Sequence, residues 1–303
     1  MNRRRLGLLG LLSVLAFCVS GQTAQRVLYE KESRYNTIVV TEDDDGLRTM
    51  LFETNGARQS VVKVGDPDHV ELAYARTMLA GLAFAEPPKR VLIVGLGGGT
   101  IPSFLHKHYP KATIDVVDID PVVVEVAKKF FGFREDAMMH AHVKDGRKFI
   151  EQCKKPYDLI FLDAFGAESI PYHLATQEFL QAVRRALAPN GVVLANVWSR
   201  GSNRLYDSMI RTYQSVFDVL DVLDVRGGGN KILIGLPVRR PIKRSDLARR
   251  AAGISKEKHL RFDMGELVKY GYRRPERTDP RGRILKDKPK AALQAAEDQH
   301  LEQ

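Results

Sequence analysis

With 303 residues the chain has room for one large α/β domain and a small addition, and not for three domains. Hydrophobic residues at 44% and charged residues at 28% are ordinary for a globular protein, while two cysteines, Cys18 and Cys153, exclude a disulfide framework. The net charge of +10 raises contact with nucleic acid or an anionic surface, but Arg239-Arg240, Lys243-Arg244, Arg249-Arg250 and Arg273-Arg274 place much of it in what reads as a solvated C-terminal tail.

Met1-Asn2-Arg3-Arg4-Arg5 is a basic leader, Leu6 to Val19 is apolar, and Val19-Ser20-Gly21 offers small residues for cleavage. Residues 1–21 are therefore expected to be a signal peptide; the apolar run falls short of the roughly 20 residues of a membrane span. Bulky Phe17 ahead of Cys18 argues against a lipoprotein site, and Arg3-Arg4-Arg5-Leu6 is similar to a twin-arginine signal. The expectation is export, periplasmic or secreted, with a cytoplasmic location if the signal reading fails.

Residues 22–85 read as a small β-sheet with a helix. Thr37-Ile38-Val39-Val40 is β-branched, Asp43-Asp44-Asp45-Gly46 is a turn, and Arg48 to Phe52 follows. Val70 to Phe84 has helical spacing and ends before Pro87-Pro88. From 86 to 238 strands and helices alternate. Arg90 to Val94 is a continuous apolar run, suited to a strand buried on both faces. Ile101 to Tyr109 is a helix, Thr113 to Val117 a strand, and Pro121 opens a helix reaching about Phe131. Tyr157 to Leu162 is a strand, Gln177 to Leu187 a helix, and Val192 to Val197 a strand after Pro189-Asn190-Gly191. Val222–Val225 and Lys231–Leu236 form a terminal hairpin. The predicted class is α/β: a small N-terminal sheet followed by a doubly wound, Rossmann-like, seven-stranded domain. Residues 239–303 carry little apolar mass and read as a basic appendage.

Chemistry gathers at the strand ends. Val94-Gly95-Leu96-Gly97-Gly98-Gly99-Thr100 follows a buried strand and precedes a helix, where glycines let a ligand approach the backbone. Its G-x-G-x-G spacing, with Thr100 in the sixth place, fits adenosylmethionine binders better than dinucleotide binders. Asp118 ends the next strand, placed to accept both ribose hydroxyl hydrogens. Asp145-Gly146 follows the third strand, where an acid can accept from the adenine amino group, and Asp163 ends the fourth. The histidines, His69, His106, His108, His140, His142 and His173, show no metal-ligand spacing, and no metal is expected. His173 reads as a loop residue near Asp163, and Trp198 as core or pocket wall.

From Tyr35 to about Gly235 these motifs resemble the spermidine synthase (polyamine aminopropyltransferase) family, as a divergent member. Tyr35-Asn36-Thr37-Ile38 is similar to its Tyr-Gln-x-Ile strand, and Asn55-Gly56-Ala57-Arg58-Gln59 to its Asp-Gly-x-x-Gln turn. Glu71-Leu72-Ala73-Tyr74 resembles its Glu-x-x-Tyr helix. The resemblance implies a transferase of polyamine biosynthesis with no permanently bound cofactor, using decarboxylated S-adenosylmethionine, or S-adenosylmethionine itself, as co-substrate. It implies nucleoside contacts from Asn36, Gln59, Tyr74, Gly95, Gly97, Gly99, Asp118, Asp145 and Gly146, with Asp163 as catalytic base. A small-molecule amine acceptor and a homodimer are likewise implied. Three family acids are missing: Gly98, Gly166 and Arg76 stand in their places, leaving the putrescine pocket incomplete. Arg76 is expected to repel a di-cation, while Glu168, Asp66 or Asp68 are candidates to compensate. The rival readings are an S-adenosylmethionine-dependent methyltransferase and a non-catalytic nucleoside or polyamine binder.

Overall fold

The computed structural model describes residues 25–164, 170–240, 242–276 and 281–287. The expected signal peptide with Cys18, and also Gly166 and Glu168, lie outside the described residues.

Four antiparallel strands come first: β1 (Arg26–Glu32), β2 (Thr37–Glu42), β3 (Leu47–Leu51) and β4 (Arg58–Lys63), side by side in that order. The predicted turn closes because the Asp43 carboxylate accepts from the amides of Asp45 and Leu47 while Gly46 takes φ +71°. Ile38, Val40 and Met50 are fully buried on its inner face. Helix α1 (Ala73–Ala80) is shorter than the spacing predicts. The Arg76 guanidinium takes the carbonyls of Val70 and Glu71, Leu72 is extended, and the last turn tightens to a 3-10 turn at Gly81–Phe84.

The large sheet holds β5 (Arg90–Val94), β6 (Thr113–Asp118), β7 (Met139–Val143), β8 (Tyr157–Leu162), β9 (Leu187–Trp198), β10 (Val219–Asp224), β11 (Asn230–Leu236) and β12 (Tyr272–Arg273). Their order is β12-β10-β11-β9-β8-β5-β6-β7, with β9-β8-β5-β6-β7 parallel and the other three antiparallel. Between these strands come α2 (Thr100–His108), α3 (Pro121–Phe130), α4 (Gly146–Glu151), α5 (Gln177–Ala186) and α6 (Tyr206–Val216). In β5, Val91 and Ile93 enter one core and Leu92 and Val94 the other, which is why the strand reads as unbroken apolar sequence. The chain leaves β5 toward β6 and β7, then returns to build β8 and β9 on its other side. That reversal opens a crevice above the carboxyl ends of β5 and β8.

Two expectations need correction. The sheet has eight strands among the described residues, because Tyr272 and Arg273 pair with Leu223 and Val222. The appendage is also more than a solvated tail. Its helices α7 (Arg244–Glu257) and α8 (Met264–Gly271) bury Leu247, Ala248, Ala251, Met264 and Val268. Its cations are partly spent inside the fold: Arg274 bonds the buried Asp221 carboxylate at 2.7 and 3.0 Å, and Arg240 donates to the Phe84 and Asn190 carbonyls. Few apolar residues suffice when they recur at helical spacing against an existing core.

Candidate active site

A cavity of about 510 Å³ lies over the crevice, floored by the carboxyl ends of β5, β6, β8 and β9 and walled by β4, α1 and the Tyr35-Asn36 segment. Asn36, Gln59, Tyr74, Gly95, Gly97, Asp118, Asp145, Gly146 and Asp163 all line it. Gly99 does not. It caps α2 at φ +80°, and a Cβ there would meet the Phe133 ring at 3.0 Å.

Gly95 brings two strand ends together. Its φ is +100°, and a Cβ would sit 2.3 Å from the Asp163 carbonyl oxygen, so only glycine admits this approach. Gly95 donates to the Val117 carbonyl and Asp163 to the Val94 carbonyl, both at 2.8 Å, locking loop and acid to the sheet. Gly146 serves β5 similarly, since a Cβ would fall 2.4 Å from Val94.

Asp118 is half-buried at the tip of β6. Its Oδ2 accepts from the Leu96 amide at 2.8 Å and its Oδ1 from the Asp120 amide at 2.9 Å. Burial outweighs these bonds and raises its pKa to about 6. Asp118 lines the cavity, and a carboxylate has about four acceptor sites, more than the amides of Leu96, Asp120 and Ile119 occupy. Asp120 is almost fully buried; it caps α3 through the Val122 amide and accepts the Ser33 hydroxyl at 2.5 Å. Ser33 Oγ in turn accepts from the amides of Tyr35 and Asn36, so this contact pins the N-terminal segment over the cavity.

Asp145 caps α4 with Oδ1 on the Lys148 amide, while Oδ2 lies 3.1 Å from His173 Nε2. His173 thus partners Asp145. Arg147 steadies this corner, donating to the His173 carbonyl and holding Asp287 at 2.6 and 2.7 Å.

Asp163 is also half-buried, and burial pushes its carboxyl up to about 7 despite hydrogen bonds from Asn196 and Tyr74. Asn196 Nδ2 donates to Asp163 Oδ1 at 2.9 Å, and Asn230 Nδ2 donates to Asn196 Oδ1 at 2.9 Å. The Tyr74 hydroxyl reaches both Asp163 and the Gln59 carbonyl, the latter at 3.1 Å. Its single proton serves one at a time. Burial and the neighbouring Asp163 charge hold the phenol well above its usual range. Asn196, Asn230, Ser33 and Asp120 were missed in the sequence, because their roles exist only through cross-strand and cross-sheet contacts.

Two of the three positions that lack a family acid, Gly98 and Arg76, look different in place. A Cβ on Gly98 would meet Phe131 at 2.8 Å, Ser60 at 2.9 Å and Val62 at 3.1 Å, so packing fills that position. Arg76 does not line the cavity, and its guanidinium is engaged by the Val70 and Glu71 carbonyls; the expected repulsion from it is not what the geometry supplies. Asp66 is bound by Arg261, and Asp68 by Lys107 and His108, so neither faces the cavity to compensate. Trp198 does line it, as pocket wall.

This arrangement has relatives. Residues 71–219 match the spermine/spermidine synthase domain. The chain is 36% identical over 221 residues to the polyamine aminopropyltransferase of Vibrio vulnificus, covering 71% of this chain and 73% of that one. It is 35% identical over 187 residues to the human eEF1A lysine and N-terminal methyltransferase, matching 55% of this chain but only 27% of that longer protein. Among solved structures, human methyltransferase-like protein 13 in complex with SAH aligns with TM-score 0.57 and 32% identity, over 62% of this chain and 93% of that one. A spermidine synthase in complex with the transition-state analogue AdoDATO aligns with TM-score 0.65 over 82% of this chain and 86% of that one; at 23% identity it speaks for the fold. The strand-end glycine and aspartates, their shared cavity and the match along most of the Vibrio protein converge: the chain belongs to the spermine/spermidine synthase family.

Proposed function

We propose that this protein transfers an aminopropyl group from decarboxylated S-adenosylmethionine to an amine. The observation that carries the reading is Asp163, a half-buried carboxyl beside Tyr74 in the cavity that also holds Asp118 and Asp145. In this reading Asp118 takes the ribose hydroxyls, Asp145 the adenine amino group, and Asn36, Gln59, Gly95, Gly97 and Gly146 line the nucleoside. An ammonium has no lone pair, so Asp163 accepts its proton first; a pKa near 7 suits a base at neutral pH. The freed nitrogen then attacks the propyl carbon next to sulfur. The carbon–sulfur bond breaks, its electron pair returns to sulfur, and methylthioadenosine leaves.

The acceptor follows from the far wall. Trp198, Val225, Gly227, Gly228 and Asn230 line that end and bring no carboxylate. Among the described residues Asp163 is the acid there, and it is the group this reading gives to the acceptor's ammonium. Gly98 favours a second reading, transfer of a methyl group from S-adenosylmethionine, because the acid expected at the donor's tail has no room. Titration calorimetry with S-adenosylmethionine, its decarboxylated form and methylthioadenosine, followed by turnover with mono- and diamines, tests both. Preference for the decarboxylated donor with propylated amine product supports the first reading. Methylated product from S-adenosylmethionine replaces it with the second. Export by residues 1–21 belongs to the same proposal.

A further inference from the structure

We infer that Asn230 is a positioning residue for Asp163, acting through Asn196 as a two-amide relay that fixes which group the carboxylate faces. The inference rests on the reading of Asp163 as the base. An ionised carboxylate only accepts, so Asn196 must present its amide nitrogen to Asp163, as it does at 2.9 Å. That leaves the Asn196 carbonyl oxygen pointing away within a nearly closed interior, with Asn196 3% exposed. An unmet acceptor there would be unfavourable, and the Asn230 amide nitrogen meets it at 2.9 Å. The direction of the whole chain is thus dictated from the acid outward. Antiparallel pairing makes it possible: Asn196 on β9 lies opposite Ile232 on β11, and Asn230 opposite Trp198, so the two amides stand diagonally across the ladder.

The relay holds one lone pair of Asp163 in a fixed bond and leaves the other oxygen for Tyr74 or the acceptor amine. Without Asn230, the Asn196 amide loses the partner that distinguishes its two ends. It can then turn its oxygen toward Asp163 and oppose ionisation. The other titratable or charged groups lining this cavity among the described residues are Tyr35, Arg58, Tyr74, Asp118, Asp120, Asp145 and His173. None of them bonds Asn196 or Asn230 in the structure.

A double-mutant cycle read by pH tests the relay. In the full chain, Asn230→Ala should raise the apparent pKa of the acid limb of kcat/KM and lower kcat more than it raises KM. Asn196→Ala should raise that pKa further, by about one unit, the scale of one lost charge-assisted bond. The pair should match Asn196→Ala alone, because the outer residue acts through the inner one. Additive effects, or an Asn230→Ala effect confined to KM, overturn the relay and make Asn230 a direct contact of the acceptor. If Asn196→Ala does not fold, Asn196→Leu, of similar size, replaces it. Carboxyl-carbon NMR of ligand-free protein, with Asp163 assigned by Asp163→Asn, reads the same shifts without turnover. Should no amine be a substrate, the functional reading fails while the NMR titration still decides the relay: an unmoved Asp163 pKa in Asn230→Ala refutes it.

Discussion

Replacing Asp163 by asparagine should make the ligand-free protein more stable at pH 8 while abolishing amine transfer. The introduced amide is nearly the same size, its oxygen can accept from Asn196, and the Tyr74 proton can pass wholly to the Gln59 carbonyl at 3.1 Å. What disappears is the ionised form in a half-buried site. The folded carboxyl titrates near 7 against an ordinary 3.8, so folding favours the protonated acid. Relative to that protonated acid, the charge costs the native state nothing well below pH 4. The penalty grows as pH rises and is complete above about 7. A shift of about three units sets a ceiling of roughly 4 kcal/mol at 1.36 kcal/mol per unit. The cavity admits water, which screens the charge, so about 1–2 kcal/mol is expected. That corresponds to a rise in Tm of about 2–8 °C for a chain of this size. Thermal melts by circular dichroism at pH 4 and pH 8 measure it, with little difference at pH 4. A variant no more stable than wild type at pH 8 would refute the argument that burial dominates at Asp163.

Asp118→Ala should weaken methylthioadenosine by at least ~1.5 kcal/mol, or more than tenfold in Kd by calorimetry, since one charge-assisted bond of that scale is lost. It should also lower Tm, because the Leu96 and Asp120 amides lose their acceptor. Gly98→Asp should destabilise the protein by about 1–3 kcal/mol in chemical denaturation without restoring putrescine binding, since its Cβ meets Phe131 and Ser60. Recovered diamine turnover in that variant would contradict the packing argument. For export, cell fractionation with N-terminal sequencing should find a mature chain beginning near Gln22, and Arg4→Lys with Arg5→Lys should reduce export. A cytosolic chain starting at Met1 would remove the signal reading.

The parts of the site readable in sequence are those set by local chain geometry. Gly95, Asp118 and Asp163 each come within one residue of the end of a strand whose apolar run marks it, so their convergence follows from strand alternation, whereas Asp145 lies two residues beyond β7, whose Met-His-Ala-His-Val carries no such run. The strands of the large sheet lie within a few residues of their expected places for the same reason, β7 and β12 apart. The rest depends on separations that periodicity does not encode. Ser33 reaches Asp120 across 87 positions, and Asn230 reaches Asn196 only once β11 has paired with β9. His173 reads in sequence as a neighbour of Asp163 but sits on Asp145, because the 3-10 turn Tyr172–Leu174 that holds it packs against α4. The C-terminal region was misjudged on composition, since Arg273 and Arg274 satisfy buried and half-buried acids of β10.

The loss of the acid at Gly98 and the retention of the nucleoside contacts have separate physical causes. In the proposed reading ribose and adenine are met by strand-end carboxylates whose backbone partners also hold the fold together, Asp118 on Leu96 and Asp145 on Lys148, so these acids stabilise the loops whether or not a ligand is bound. Position 98 has no such second duty. Its Cβ direction runs into Phe131, which with Phe133 is buried beneath the glycine loop on either side of Gly132 at φ +74°. A carboxylate there would be forced against apolar rings with its charge poorly solvated. The proposed reading therefore leaves the donor's tail to Gly97 and the Asp163 corner. In that reading, whether the tail is aminopropyl or keeps the carboxylate of S-adenosylmethionine, discrimination between donors rests on the shape of this corner and on the charge state of Asp163. The Asn196–Asn230 relay acts on both.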